Sequence, residues 1–82
     1  MSKKELIKLN DIFKKIFPRE KIPQKISNLK INDLKSWDSL GNFNLLLLVE
    51  DTYNVRFTQK ELSSITSCKE IISYLKKYGK KF

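Results

Sequence analysis

Residues 37–53 of this chain read WDSLGNFNLLLLVEDTY, and they determine whether the domain is all-helical. The five consecutive apolar residues at 45–49 fit either a buried strand or a buried helix. The leucine content, the length of the segment and the acidic Asp38 near its start favour a helix. We therefore predict a helix that is buried around much of its circumference and is ended by Asn54 and Val55.

A second helical pattern precedes this segment. Residues 2–17 carry lysines between apolar residues at helical spacing, and Pro18 ends the pattern. Its apolar residues are Leu6, Leu9, Ile12, Phe13, Ile16 and Phe17. The connection from Pro18 to Trp37 is long for a compact domain and contains several apolar residues, so we expect a loop that is packed across the bundle.

Two capping-box patterns follow the leucine-rich segment. Thr58 with Glu61 opens a short helix, and Ser67 with Glu70 opens a terminal helix that Gly79 stops. The short helix carries Leu62 and Ile65, and the terminal helix has an apolar face of Ile71, Ile72, Leu75 and Tyr78. The sequence thus predicts an all-α bundle of three longer helices and one short helix.

Composition favours a binding or carrier module over an enzyme. The chain has 82 residues, with 17 basic and 9 acidic side chains, a net charge of +8 and a pI near 9.7. A domain of this size buries only about 60% of its unfolded surface, so a deep catalytic pocket is not expected. The absence of histidine removes the commonest general base and metal ligand, and we predict no metal site.

We expect no targeting segment in this chain. The amino-terminal residues lack an uninterrupted apolar stretch of the signal-peptide type, and no segment approaches the ~20 apolar residues of a membrane span. A single cysteine fits a reducing compartment. We expect a soluble, cytoplasmic monomer in which residues 1–82 form one domain and residues 79–82 fray.

One tetrad, Asp38-Ser39-Leu40-Gly41, is a candidate site for chemical modification. It lies where the long loop meets the amino end of the leucine-rich helix. A serine there exposes its hydroxyl beside backbone N–H groups and the positive end of the helix dipole, which favour a bound phosphate. This suits a phosphodiester at Ser39. The alternative interpretation is a helix cap, because Asp and Ser are among the commonest capping residues.

The residues after this tetrad resemble those of the acyl carrier proteins. The hallmark of that family is an Asp-Ser-Leu triplet at the start of the second helix, and here it is Asp38-Ser39-Leu40. The positions that follow in the order of the family are Leu45, Glu50-Asp51, Tyr53, Phe57-Thr58 with Glu61, Ile65-Thr66-Ser67 and Tyr74-Leu75. The resemblance covers residues 37–75 and extends to the first helix only by pattern.

The resemblance implies a right-handed, acyl-carrier-like four-helix bundle with 4′-phosphopantetheine on Ser39. A phosphopantetheinyl transferase would attach this group covalently from coenzyme A, with magnesium held largely on the enzyme side. Acyl or aminoacyl groups would then ride as thioesters between acyl-loading and acyl-transferring enzymes of a fatty-acid or specialised pathway, and the carrier itself would catalyse nothing. Asp38 would support attachment. The implied partner-facing residues are Leu40, Phe43, Glu50 and Asp51.

The chain departs from the family in its charge. Acyl carrier proteins are typically acidic and present carboxylates to basic patches on partner enzymes. Gly41, Asn44 and Arg56 stand here where acids are usual. Electrostatic steering governs on-rate and specificity, so we expect a dedicated carrier of a specialised pathway.

The lysines leave a second interpretation open. Residues 1–35 carry ten basic and four acidic side chains, and residues 66–82 carry five basic and one acidic. Such clusters can bind phosphate groups, so the alternative is a basic helical adaptor that binds nucleic acid, an anionic membrane or a protein without a prosthetic group. Most lysine runs on helices are solvated faces, and no nucleic-acid motif is recognisable, so neither nucleic acid nor membrane is the favoured partner.

Three apolar features complete the prediction. Cys68 is expected to be a small buried hydrophobe. Trp37 is expected either to pack the loop end onto the bundle or to shield the attachment point of the arm. The core residues line an interior that either accepts part of an acyl chain or is filled by packing alone, and the sequence leaves both open. They include Phe13, Ile16, Ile71, Ile72 and Leu75.

Overall fold

The computed structural model of the protein describes residues 3–78, with side chains from Lys8 onward. These residues form four α-helices, α1 (Lys3–Ile16), α2 (Ser39–Tyr53), α3 (Gln59–Ser64) and α4 (Cys68–Lys77). The predicted all-α bundle of three longer helices and one short helix is confirmed. The predictions for the side chain of Leu6, for Gly79 as a helix stop and for a frayed tail at 79–82 lie outside what is described.

The helix ends follow the local signals in the sequence. The α3 capping box is complete, because Thr58 Oγ1 accepts from Glu61 N–H at 3.1 Å and Glu61 Oε1 accepts from Thr58 N–H at 2.8 Å. α2 ends at Asn54, which adopts the left-handed conformation (φ 56°) that asparagine tolerates. No helix within residues 3–78 is long and apolar enough to cross a membrane.

The second predicted capping box is only half formed. Ser67 Oγ accepts from Glu70 N–H at 3.2 Å, but the Glu70 carboxylate accepts from Thr66 N–H instead of Ser67 N–H. Ser67 lies in an isolated antiparallel bridge with Lys30, and this pairing sets the backbone direction at the start of α4. A contact distant in sequence thus alters the local pattern.

The long loop is packed across the bundle, as predicted. Cys68 N–H donates to Leu29 O at 2.9 Å, and Ile31 N–H donates to Thr66 O at 2.7 Å. The end of the loop is anchored by Trp37, which is fully buried and meets the Phe13 ring edge-on at 5.2 Å between centroids. The loop therefore holds the start of α2 against both α1 and the start of α4.

Two burial predictions need correction. α2 is buried on one side only, because Leu40, Phe43 and Leu47 are 69%, 44% and 40% exposed. The other elements of so small a bundle cover only one side of the helix. The Tyr78 side chain is half-exposed at the end of α4 and stacks on Tyr74 with 4.5 Å between ring centroids, instead of extending the buried face.

Candidate functional site

At the amino end of α2, the residue that caps the helix and the candidate modification residue are different. Asp38 is the N-cap residue, and its Oδ1 accepts from Gly41 N–H at 2.8 Å. Ser39 is the first residue of the helix, and its side chain is exposed. Since Asp38 satisfies the capping role that both residues could have filled, the Ser39 hydroxyl is available for other chemistry.

A groove opens beside Ser39 between α2, α3 and the long loop. Its volume is about 410 Å³. Ile31, Phe43 and Leu62 supply apolar surface, and the remaining lining residues are polar: Ser39, Asn42, Gln59, Ser63 and Thr66. The groove therefore combines apolar surface with hydrogen-bonding groups next to the serine.

A buried hydrogen-bond chain holds this region together. Trp37 Nε1–H donates to Asn42 Oδ1 at 2.9 Å, and Asn42 Nδ2–H donates to the Ile65 carbonyl at 2.8 Å. Asn42 thereby ties the loop, α2 and the end of α3 together one helical turn after Ser39. No sequence pattern identified Asn42, because the apolar residues of α2 occur all round the helix and do not mark the buried face.

The glycine in the tetrad is required by packing. A Cβ atom at Gly41 would lie 2.3 Å from the Ser36 carbonyl oxygen and 3.1 Å from Phe17 Cε1. No side chain fits at that distance from a backbone atom. The contact with the Ser36 carbonyl therefore explains why this position carries glycine and not an acid. The close approach also fixes the loop against the first turn of α2.

Gly41→Ala is therefore expected to destabilise the protein by about 1–3 kcal/mol, the range for overpacked sites. In an unconstrained helix the same change would stabilise the protein by up to about 1 kcal/mol. The sign of the change in the free energy of unfolding therefore tells whether Gly41 is in close contact. Urea denaturation followed by circular dichroism measures the difference. Asn44→Ala, at an exposed position one turn later, is the control and should be neutral or slightly stabilising. A stabilised Gly41→Ala variant would contradict the close contact.

The predicted partner-facing residues have different surroundings. Leu40 and Phe43 are exposed on α2, and Asp51 is exposed near its end. The Glu50 carboxylate is half-buried and accepts from Phe57 N–H at 2.7 Å, which gives it a structural contact within the chain. Glu50 and Asp51 line a shallow concavity with Arg56, so the positively charged guanidinium of Arg56 lies in the same concavity as these two carboxylates.

Cys68 is fully buried at the start of α4, as predicted. Burial raises the pKa of its thiol from an ordinary value of 9.0 to about 12. The thiol is thus held protonated at neutral pH and does not act as a nucleophile there. The other core residues, including Phe13, Ile71 and Leu75, are packed in the same cluster.

The raised pKa predicts a loss of stability in alkali. Between pH 9 and 12 the unfolded thiol releases its proton while the folded thiol keeps it, so the free energy of unfolding falls as pH rises through this window. The slope from pH 8 to pH 10.5 should be steeper for the native protein than for Cys68→Ala, measured by urea denaturation at each pH. Equal slopes for the two proteins would contradict the prediction.

The lysine clusters are only partly within the described side chains. Lys14, Lys15, Lys76 and Lys77 are exposed at the ends of α1 and α4. The Nζ atom of Lys8 lies 5.1 Å from the centroid of the Tyr53 ring, a cation–π contact across α1 and α2. The side chains of Lys3, Lys4, Lys80 and Lys81 lie outside what is described.

Comparison with known proteins identifies the family. A scan against protein-family models gives no match, and no solved structure matches. The chain is 37% identical over 59 residues to the acyl carrier protein of Buchnera aphidicola subsp. Baizongia pistaciae, and the match covers 70% of this chain and 74% of that protein. With this identity and coverage, and with an all-helical fold around an Asp-Ser-Leu helix start, the chain belongs to the acyl carrier protein family.

Proposed function

We propose that this protein carries 4′-phosphopantetheine on Ser39 and transports acyl or aminoacyl thioesters between enzymes of a biosynthetic pathway. The observation that carries the proposal is the placement of Ser39. It is exposed at the first position of α2, while the capping contact is made by Asp38. Family membership supplies the chemical context.

The residues around Ser39 fit the group. A phosphodiester at this position lies at the positive end of the α2 dipole, which stabilises its negative charge. The adjacent groove of about 410 Å³ offers apolar contacts from Phe43 and Leu62 and a hydrogen-bonding amide from Gln59. When bound, the group supplies a terminal thiol for thioester chemistry.

Attachment requires the Ser39 hydroxyl to act as a nucleophile on the pyrophosphate of coenzyme A. The bond from Ser39 Oγ to the phosphorus forms, the pyrophosphate P–O bond breaks, and adenosine 3′,5′-bisphosphate leaves. The chain contains no histidine to take the serine proton, so the base belongs to the separate transferase. This division of labour agrees with a carrier that is not itself an enzyme.

The test is an intact mass measurement after incubation of the full chain with coenzyme A, magnesium and a permissive phosphopantetheinyl transferase. We expect the gain of one phosphopantetheine, located at Ser39 by peptide mapping. No gain with several transferases would contradict the proposal. It would favour the basic helical adaptor, whose binding to nucleic acid would weaken steeply with salt.

We further propose that the carrier serves a dedicated pathway. Gly41 and Asn44 leave the first half of α2 with no carboxylate after its cap, and Arg56 stands among the acids at its far end. Enzymes that use a basic docking patch should therefore capture the loaded protein slowly. Turnover by general fatty-acid synthase enzymes at the rate of an acidic carrier would contradict this assignment.

A further inference from the structure

The Asn42 side chain lies across the route from Ser39 into the bundle interior. It lines the groove beside Ser39 and is almost fully buried, so it forms part of the groove floor. Leu45 and Leu46, which follow on the same side of α2, are fully buried in the core. A hydrocarbon chain that starts at Ser39 and moves into the core along α2 would therefore have to displace the Asn42 amide.

Two buried hydrogen bonds hold this amide in place. Trp37 Nε1–H, from the long loop, donates to Asn42 Oδ1 at 2.9 Å, and Asn42 Nδ2–H donates to the Ile65 carbonyl, at the end of α3, at 2.8 Å. A hydrocarbon chain has neither a donor nor an acceptor. Its entry at this point would leave the indole, the amide and the carbonyl unpaired in apolar surroundings, which is costly.

The walls of the groove are also tied together by the backbone. Ile31 N–H donates to Thr66 O at 2.7 Å, and both residues line the groove. Cys68 N–H donates to Leu29 O at 2.9 Å on the same side of the bundle. Separation of the long loop from the segment that joins α3 to α4 would break these bonds. Widening of the groove toward the core therefore costs backbone hydrogen bonds as well as the two bonds of the Asn42 amide.

The groove itself offers a binding surface outside the core. Its volume is about 410 Å³, and it begins at Ser39. Phe43 and Leu62 supply a small apolar surface, and the exposed Gln59 side chain carries an amide that can both donate and accept. A small apolar surface next to an amide suits a short acyl group, or one with a polar substituent, better than a long hydrocarbon chain.

We propose that the cargo of this carrier is a short acyl or aminoacyl group that stays in the groove beside Ser39, and that Asn42 excludes long acyl chains from the interior. The inference rests on the proposed carrier function and names the class of its cargo. A long chain that is kept out of the core would expose its apolar surface to water, which disfavours long-chain fatty acyl groups as cargo.

Chemical attachment tests where the cargo lies without any transferase. The full chain with Ser39→Cys, labelled with 15N, is alkylated with two haloacetamides whose arms have the length of phosphopantetheine. One arm ends in a butanoyl amide and the other in a dodecanoyl amide, so they differ only in chain length. Cys68 does not compete for the reagent, because its thiol is fully buried and its pKa is raised to about 12.

Both arms should shift the amide signals of Gln59 and Leu62 in the groove. The signals of Leu46 and Ile71 in the core should be the same for the two arms. The Tm of the dodecanoyl form should lie within about 2 °C of the Tm of the butanoyl form, because a chain outside the core adds no burial to the folded state.

Two results on this protein would overturn the proposal. Selective shifts of Leu46 and Ile71 with the dodecanoyl arm, together with a larger rise in Tm, would show that the long chain enters the core. The absence of shifts at Gln59 and Leu62 with the butanoyl arm would show that the groove does not hold a short acyl group.

A matched pair of variants in the same background tests Asn42 directly. Asn42→Leu replaces the buried amide with an apolar side chain of similar size, and Asn44→Leu makes the same change at an exposed position of α2. In Asn42→Leu the dodecanoyl arm should raise the Tm by more than about 2 °C over the butanoyl arm, whereas in Asn44→Leu the two arms should give equal values. Equal values in folded Asn42→Leu would overturn the role of Asn42. Trp37→Phe, which removes one of the two bonds to the amide, provides the same comparison where Asn42→Leu does not fold.

The alkylation needs no transferase, and the mass assay needs no synthetic arm. Failure of enzymatic loading would contradict the attachment of phosphopantetheine. Entry of the dodecanoyl chain into the core would contradict only the class of cargo. The two failures are therefore distinguishable.

Discussion

Ser39→Ala is expected to abolish loading with phosphopantetheine while changing the free energy of unfolding by no more than about 0.5 kcal/mol. The loss is complete because no other atom of the chain replaces the Ser39 hydroxyl at the start of α2. Stability is preserved because the side chain is exposed and the cap belongs to Asp38. Intact mass after transferase treatment measures the first effect, and urea denaturation measures the second.

Two control variants make the result specific. Ser63→Ala removes a second serine hydroxyl that lines the same groove, and this variant should load normally. Asp38→Ala removes the cap, so it should lose about 0.5–2 kcal/mol of stability but retain the serine. Loading of Ser39→Ala, or failure of Ser63→Ala to load while folded, would contradict the assignment of the attachment site.

Trp37→Ala is expected to cost about 3–5 kcal/mol, the range for deletion of a large buried aromatic side chain. Trp37 is fully buried, and its ring centroid lies 5.2 Å from that of Phe13 and 6.0 Å from that of Phe17. Its Nε1–H donates to Asn42 Oδ1. Its removal would leave a cavity and an unpaired buried amide oxygen. Because small domains are stable by only about 5–15 kcal/mol, this variant should be partly unfolded at 37 °C.

Trp37→Phe is the matched control. It keeps an aromatic ring in the core but removes the Nε1–H donor to Asn42, so a smaller loss of about 1–3 kcal/mol is expected from the unpaired oxygen. Circular dichroism must follow unfolding, since Trp37 is the single tryptophan and its fluorescence disappears with it. Equal stability of Trp37→Ala and the native protein would contradict the anchoring role of the loop end.

Much of the site was predictable because its signals are local. The Asp38 cap, the Thr58 and Glu61 box and the left-handed Asn54 are formed by residues within a few positions of one another. The resemblance around Asp38-Ser39-Leu40 led to the family that the comparison identifies. Local signals also predicted α1, because lysines lie between apolar residues at helical spacing and Pro18 marks the end of the pattern.

The sequence by itself therefore determined the helices, their order and the serine at the start of α2. Tertiary structure alone decided which side of α2 is exposed, because its apolar residues occur all round the helix and their pattern selects no face. It also decided that Gly41 lies against the Ser36 carbonyl and that Asn42 joins Trp37 to Ile65. These contacts join residues through the packing of the long loop and α3 against α2, and no spacing along the chain encodes that packing.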